Sequence, residues 1–258
     1  MSQFLTLFQK EIKESFKDGK LIWLPIVFMI LGISQPISSY YMQDILEMSG
    51  SLPKGTILKF PKPSGEEVLA QVLSQFGLIG TAIIVLSAMG CVASERNNGS
   101  LSLIMARPIS STQYITSKWA SQAAILLVSF TLSYGLSYYY TSLLFHSVSI
   151  ARFFSSLFIY SLWIIFVLTI TLFFGVILRK AGGIAGASIL LVSVLSLGSS
   201  LFSRYSKWSP SQAKNQAVSV LLEGVWGDSF LLMLISTVCF IFILLMGSVL
   251  LFKRYESY

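Results

Sequence analysis

Charge is what this sequence has least of. Only 11% of its 258 residues are Asp, Glu, Lys or Arg, where soluble domains carry about 25%. That excludes an ordinary water-soluble globule. Histidine occurs once, as His146, and cysteine twice, as Cys91 and Cys239. A metal centre needs several such ligands together, so no metal is expected. The two cysteines lie in apolar runs and read as small core residues, not as a disulfide. No Gly-x-Ser-x-Gly elbow occurs. Serines are plentiful enough for a Ser–His pair, and an intramembrane enzyme would need a water-filled polar pocket around His146. Walker A is also missing. Gly50 to Gly55 followed by Thr56 has the glycine spacing of a phosphate loop, but without its lysine or a preceding strand. No cofactor and no nucleic-acid partner are expected. The apolar runs hold none of the acidic or basic residues that ion-coupled carriers commonly use. If this chain moves a substrate, the energy comes from another polypeptide.

What is present is apolar. Hydrophobic residues make up 54% of the chain, and mean hydropathy is +0.75. Charge-free runs extend over Leu21–Gln43, Val68–Ser94, Trp119–Ala151, Phe153–Leu178, Ala181–Ser203 and Ser229–Phe252, each at least 23 residues long. About 20 apolar residues cross a bilayer, and one charge at mid-membrane costs roughly 2.5–3.5 kcal/mol. The pattern predicts an all-α polytopic membrane protein, one transmembrane domain over 1–258. Its spans fall at 21–43, 68–94, 119–145, 153–178, 181–203 and 229–252.

An even number of spans puts both termini on one side. If that side is the cytoplasm, the inner segments hold 11 Lys and Arg and the outer ones 7, the sense of the positive-inside rule. The Arg204–Lys214 cluster argues against it. The reading is a multi-pass plasma-membrane protein with both ends cytoplasmic.

Residues 1–20 hold an amphipathic helix with Phe4, Phe8, Ile12 and Phe16 on one stripe, widened by Leu5. Ser2 is placed to cap it and Gly19 to end it. It would lie in the inner interface or dock on a partner. The loop from Asp44 to Glu67, with Pro53, Pro61 and Pro63, reads as irregular. Tyr134, Tyr138, Tyr139 and Tyr140 read as an interfacial belt, with a polar substrate wall as the alternative. Gly182 and Gly186 have the spacing of close helix packing, expected within the subunit. Segment 204–228 turns amphipathic from Ala217 to Trp226. A helix dipping into the outer leaflet and a plain external loop both fit it.

The segment 95–118 carries the most specific chemistry. Asn97, Asn98, Gly99 and Ser100 form a turn. Ser100 is placed to cap a short helix from Leu101 to about Ala106, with Leu101, Ile104 and Met105 on one face. Pro108 blocks its continuation. Ser110 or Ser111 can cap a second helix that carries Tyr114 and Lys118 into the third span. The residues themselves leave two readings open: a rigid crosswise helix, or a loop whose apolar face dips into the inner leaflet.

This run resembles the cytosolic segment of type-2 ABC exporter permeases. The matching positions are Glu95, Gly99, Ser100, Leu101, Arg107, Pro108, Ser110, Tyr114 and Lys118. Members often carry a basic residue where this chain has Ser111, which bears on the local charge contact to a partner. The layout is also similar: an amphipathic N-terminal helix, six spans, and an amphipathic segment before the last. The resemblance implies a permease subunit of an ATP-driven exporter. Two permease copies, identical or paralogous, would form the pathway in the bilayer, and two ABC ATPase subunits would dock below. It implies an ATPase-coupling set of Glu95, Gly99, Leu101, Ile104, Met105, Arg107 and Pro108. Glu95 and Arg107 would be polar anchors, and Leu101, Ile104 and Met105 would fill a groove of the ATPase. The competing expectation is a membrane scaffold or sensor that docks a cytosolic partner without moving a substrate.

Overall fold

The computed structural model describes residues 3–42, 63–106, 109–202 and 206–255. Ser2, Arg107, Pro108, Arg204 and most of the 44–67 loop lie outside them. The described residues are all-α. Helix α1 (Gln3–Lys17) leads into α2 (Lys20–Tyr40) through Gly19, whose φ of 70° is left-handed and suits glycine. Helix α3 (Gly65–Asn97) is interrupted by a π-helical turn at Phe76–Gly80. The short α4 (Ser100–Met105) follows. Then come α5 (Ser111–Leu144), α6 (Ile150–Ile177), α7 (Ala181–Leu201), α8 (Gln212–Glu223) and α9 (Phe230–Tyr255). Six of these, α2, α3, α5, α6, α7 and α9, are long and apolar enough to cross a membrane.

Helices α3 and α5 begin before their charge-free runs for a local reason. α3 starts at Gly65 because Ser64 and Glu67 form a capping box, satisfying two backbone donors at once. α5 starts at Ser111 because Ser110 and Gln113 do the same.

The core is an aromatic column. Phe76 of α3 stands edge-on to Phe28 of α2 and Phe130 of α5, at 5.3 and 5.2 Å. Phe130 stacks on Tyr160 of α6 at 5.1 Å. Tyr134 stacks on Phe153 at 4.9 Å and shares a 2.9 Å hydrogen bond with Ser156. Such ring pairs contribute about 0.5–1.5 kcal/mol each beyond their area. α2 approaches α5 closely because Gly32 faces Ser133 and Ser137, where a Cβ would strike their atoms. Small residues permit backbone approach of this kind.

Three expectations change. Only part of the tyrosine cluster faces outward: Tyr139 is exposed but Tyr134 is fully buried, because one helical face of α5 packs on α6. A Cβ at Gly182 or Gly186 would meet nothing within 4 Å, so their spacing is not used for packing within this chain. Cys239 is exposed on α9, since only a narrow strip of that helix meets the rest of the molecule.

The segment before α9 contains a helix. α8 packs Ala213, Ala217, Val220 and Leu221 into the core, against α6 and the N-terminal part of α3. Its outer end stops at Gly224, φ 72°. There Arg152 of α6 donates to the Leu222 carbonyl at 3.4 Å and pairs with Glu66 of α3 at 3.7 Å. A guanidinium at a helix C-terminus complements the helix dipole.

Candidate functional site

The C-terminal end of α3 unwinds at Gly99, φ 72°, a left-handed geometry that other residues adopt at a cost. Gly99, not Ser100, is therefore the N-terminal cap of α4. Ser100 is the first helical residue, and its hydroxyl donates back to the Glu95 carbonyl at 3.4 Å. α4 ends at Met105, and Ala106 donates to Ser102 at 3.0 Å.

The face of α4 expected to meet a partner turns inward. Leu101 is 3% exposed and packs with Val92, Tyr114, Ile115, Leu172, Val176 and Phe252. Ile104 and Met105 pack on the same cluster, half-buried. The physical reason is proximity: the turn at Gly99 folds α4 back under the inner ends of α5, α6 and α9, whose apolar residues it covers. The outward residue is Leu103, 74% exposed. It borders a cleft of about 750 Å³ between α4 and α1, shared with Lys10, Lys13, Lys17 and Ile104. Tyr114 stacks on Phe252 at 4.8 Å, joining the inner ends of α5 and α9.

Glu95, expected as an anchor, is 3% exposed. Its carboxylate accepts from the Tyr114 hydroxyl, from the Lys10 ammonium, and pairs with Lys118 at 3.1 Å. Lys118 is 2% exposed and donates to both oxygens of Glu11 at 2.9 and 3.0 Å. Lys10 also reaches Glu14 at 2.9 Å, one turn along α1. Three carboxylates and two ammonium groups thus tie α1, α3 and α5 together. Glu11, Glu14 and Glu95 lie close enough to hold a cation, but the two lysines already fill that role. For Lys10, burial alone lowers the pKa. Hydrogen bonds to Glu95 and Glu14 and the Glu11 charge override it and raise the value well above that of an ordinary lysine. Buried pairs of this kind add little net stability, yet removing one partner is costly.

Beside the hub is a cavity of about 240 Å³ bounded by Asp18, Lys20, Ser87, Cys91 and Gln122. Lys20 donates to the Ser87 carbonyl and to Gln122. Arg96 donates twice to the Val176 carbonyl at 3.2 Å, and Asn97 reaches the Arg179 carbonyl at 3.4 Å. These close the C-terminal end of α6.

Sequence reasoning missed Lys10, Glu11 and Leu103. The apolar stripe of α1 drew attention away from its docked face, which is Leu7, Glu11 and Ser15. A carboxylate flanked one turn away by Leu and Ser was the available signal. Arg107 and Pro108 lie outside the described residues. His146 is exposed in the turn after α5, and neither described cavity is lined by it.

A membrane body of six apolar helices, with a short crosswise helix held at one end, is the architecture of a transporter's membrane component. Residues 5–255 match the family described as ABC-2 family transporter protein, and the chain belongs to that family. It is also 45% identical, over the whole length of both chains, to a Bacillus subtilis (strain 168) protein named "Uncharacterized transmembrane protein YxlG". Permeases of the ABC-2 family normally partner with an ABC ATPase.

Proposed function

We propose that this chain is the membrane-spanning subunit of an ATP-driven exporter working by alternating access. A separate ABC ATPase docks on the face formed by α1, α4 and the 95–118 segment. A second permease copy, identical or paralogous, completes the pathway. The protein resides in the plasma membrane, with α1 and the end of α9 on the cytoplasmic side, as the Lys/Arg bias of the sequence supports.

The observation that carries this reading is the way α4 is held. It cannot move without its neighbours, because Leu101 is packed on α5, α6 and α9 and Glu95 is bound to α1 and α5. A push on exposed Leu103 therefore acts on four spans at once. Leu103, with the lysines of the α1 cleft, is the contact surface we assign to the ATPase. Glu95 and Leu101 hold α4 in place instead of touching the partner.

A second feature favours transport over scaffolding. Ser34, Gln35 and Ser39 of α2 bond to Gln71 and Gln75 of α3 in an exposed polar strip. Hydrocarbon offers such groups no partners, so the strip suits a water-containing passage or a second subunit.

The test is co-purification from native membranes with the partners identified by mass. Leu103→Glu should lose the ATPase while the permease stays folded, and Glu95→Gln should retain it but lower substrate-stimulated ATP hydrolysis. An ATPase bound equally well by Leu103→Glu would remove α4 from the docking surface. Isolation without any ATPase, from cells that express one, would favour the scaffold reading.

A further inference from the structure

Lys214 of α8 reaches into the middle of the membrane body. Its ammonium donates to Ser196 Oγ of α7 at 3.0 Å and sits 4.6 Å from the centre of the Trp163 ring of α6. Trp163 lies midway along Ile150–Ile177, about 20 Å from either end at 1.5 Å rise per residue. Among the described residues no carboxylate pairs with Lys214. Burying an uncompensated charge at this depth is expensive, and ionisable residues placed there mark functional sites.

Other features converge on the same spot. Tyr160 Oη is buried and has no hydrogen-bond partner among the described residues. A Cβ added at Gly77 would lie 3.3 Å from Lys214 Cδ and 3.8 Å from Tyr160 Oη, so both side chains face that point of α3. Gly77 belongs to the π-helical turn Phe76–Gly80, an irregularity frequent at functional sites. Lys214 also lies in the first turn of α8, where the helix dipole adds positive potential and so favours an anion. A lysine escaping to the surface would extend toward water, yet this one turns inward, away from the outer end of α8 at Gly224. The spot is reachable from the side: Gly77, Ser196 and Lys214 are half-buried, and Leu78 is exposed.

We propose that Lys214, Tyr160 and Ser196 form an internal site for the anionic oxygen group, carboxylate or phosphate, of an amphiphilic molecule. The ammonium has three donors, of which Ser196 takes one, and the Tyr160 hydroxyl has a proton to donate. Leu78, 78% exposed beside Gly77, offers apolar surface for the tail. Burial selects an amphiphile over a free ion, because a hydrated anion would have to shed its water to reach the buried Tyr160 hydroxyl. As a statement about cargo this rests on the transport reading, but binding is measured without any ATPase, so the two can fail separately.

The purified chain in a neutral detergent is titrated with cis-parinaric acid, a fluorescent carboxylate amphiphile, following energy transfer from tryptophan. Laurate and dodecyl phosphate should both displace it. Dodecanol should need about tenfold more, and inorganic phosphate should not displace it. Lys214→Met should weaken parinarate binding about tenfold or more while the melting temperature stays level or rises, because a half-buried ammonium without a carboxylate partner among the described residues has been removed. Lys214→Arg should retain binding, Tyr160→Phe should lose a fewfold, and Lys207→Gln should match the native chain. Equal binding by Lys214→Met, or equal displacement by dodecanol, overturns the site. Displacement by inorganic phosphate at the concentrations effective for dodecyl phosphate overturns the amphiphile assignment. A Lys214→Met chain that melts earlier but binds normally assigns the lysine to structure instead.

Discussion

The ion hub makes a sharp prediction at Lys118. This side chain is 2% exposed and holds both oxygens of Glu11 at 2.9 and 3.0 Å, with Glu95 at 3.1 Å. Lys118→Met removes the charge but keeps most of the volume. Glu11, Glu14 and Glu95 are then left with carboxylate oxygens within 4.8 Å of one another and only Lys10 to face them. Removing one partner of a buried ion pair costs about 3–5 kcal/mol. At about 2–4 °C per kcal/mol for a chain somewhat smaller than this one, the melting temperature should fall by about 6–20 °C. The double variant Glu11→Gln/Lys118→Met removes one charge of each sign and should recover more than half of that loss. A double-mutant cycle should give a coupling of at least about 1 kcal/mol. The assay is thermal loss of the monodisperse peak in detergent, run on the native chain, both single variants and the double. A Lys118→Met chain that melts within about 2 °C of the native one would refute the reasoning, as would strict additivity in the cycle.

Other perturbations separate the remaining parts. Gly99→Ala should cost about 1–2 kcal/mol, since φ is 72° but open space surrounds the site. Gly224→Ala should cost more, because its Cβ would stand 2.9 Å from Arg152 Nε and displace a guanidinium that joins α6, α8 and α3. Melting curves of the two variants rank them. Ser110→Ala removes the capping box of α5 and should lower stability by about 1 kcal/mol, read in the same assay. The Lys10 pKa is raised in the folded chain, so its contribution is complete below the ordinary lysine value and lost as pH rises through the folded one. Hydrogen-exchange protection of α1 should therefore stay level from about pH 7 to 9 and fall only in stronger alkali. A drop within the neutral range would show that Lys10 does not hold α1.

The spans were readable because their signal is a sum over many residues. One charge in any of six runs would have weakened the pattern, and none occurs. The cap at Ser110 was readable for the opposite reason, being local: a hydroxyl and a Glu or Gln three residues later suffice, and the same signal at Ser64 was passed over inside a segment read as an irregular loop. Burial within the bundle was not readable. In water an apolar face points inward, but in a bilayer both faces of a span are apolar, so hydropathy cannot tell Tyr134 in the core from Tyr139 outside it. The same blindness hid the unused face of Gly182 and Gly186. Polar residues are the better guide at membrane depth, and on α5 Ser129, Ser133 and Ser137, all buried, mark the packed side.

The candidate site shows where sequence reasoning turns one step too early. The apolar triplet Leu101, Ile104 and Met105 reads as one face of a short helix that would fill a partner's groove, whereas in the fold it packs on the cluster of α5, α6 and α9. A six-residue helix cannot hold its shape alone. Its apolar face fixes it to α5, α6 and α9 and leaves Leu103 exposed, which is why the proposed ATPase contact is Leu103. The same logic applies to Glu95. A carboxylate able to reach Lys10, Lys118 and Tyr114 together acts as an internal tie, where a solvent-exposed ion pair would contribute only about 0–1 kcal/mol. Rigidity at the inner face thus depends on α1, which no local motif in 95–118 could reveal, since Glu95 and Lys10 are 85 residues apart.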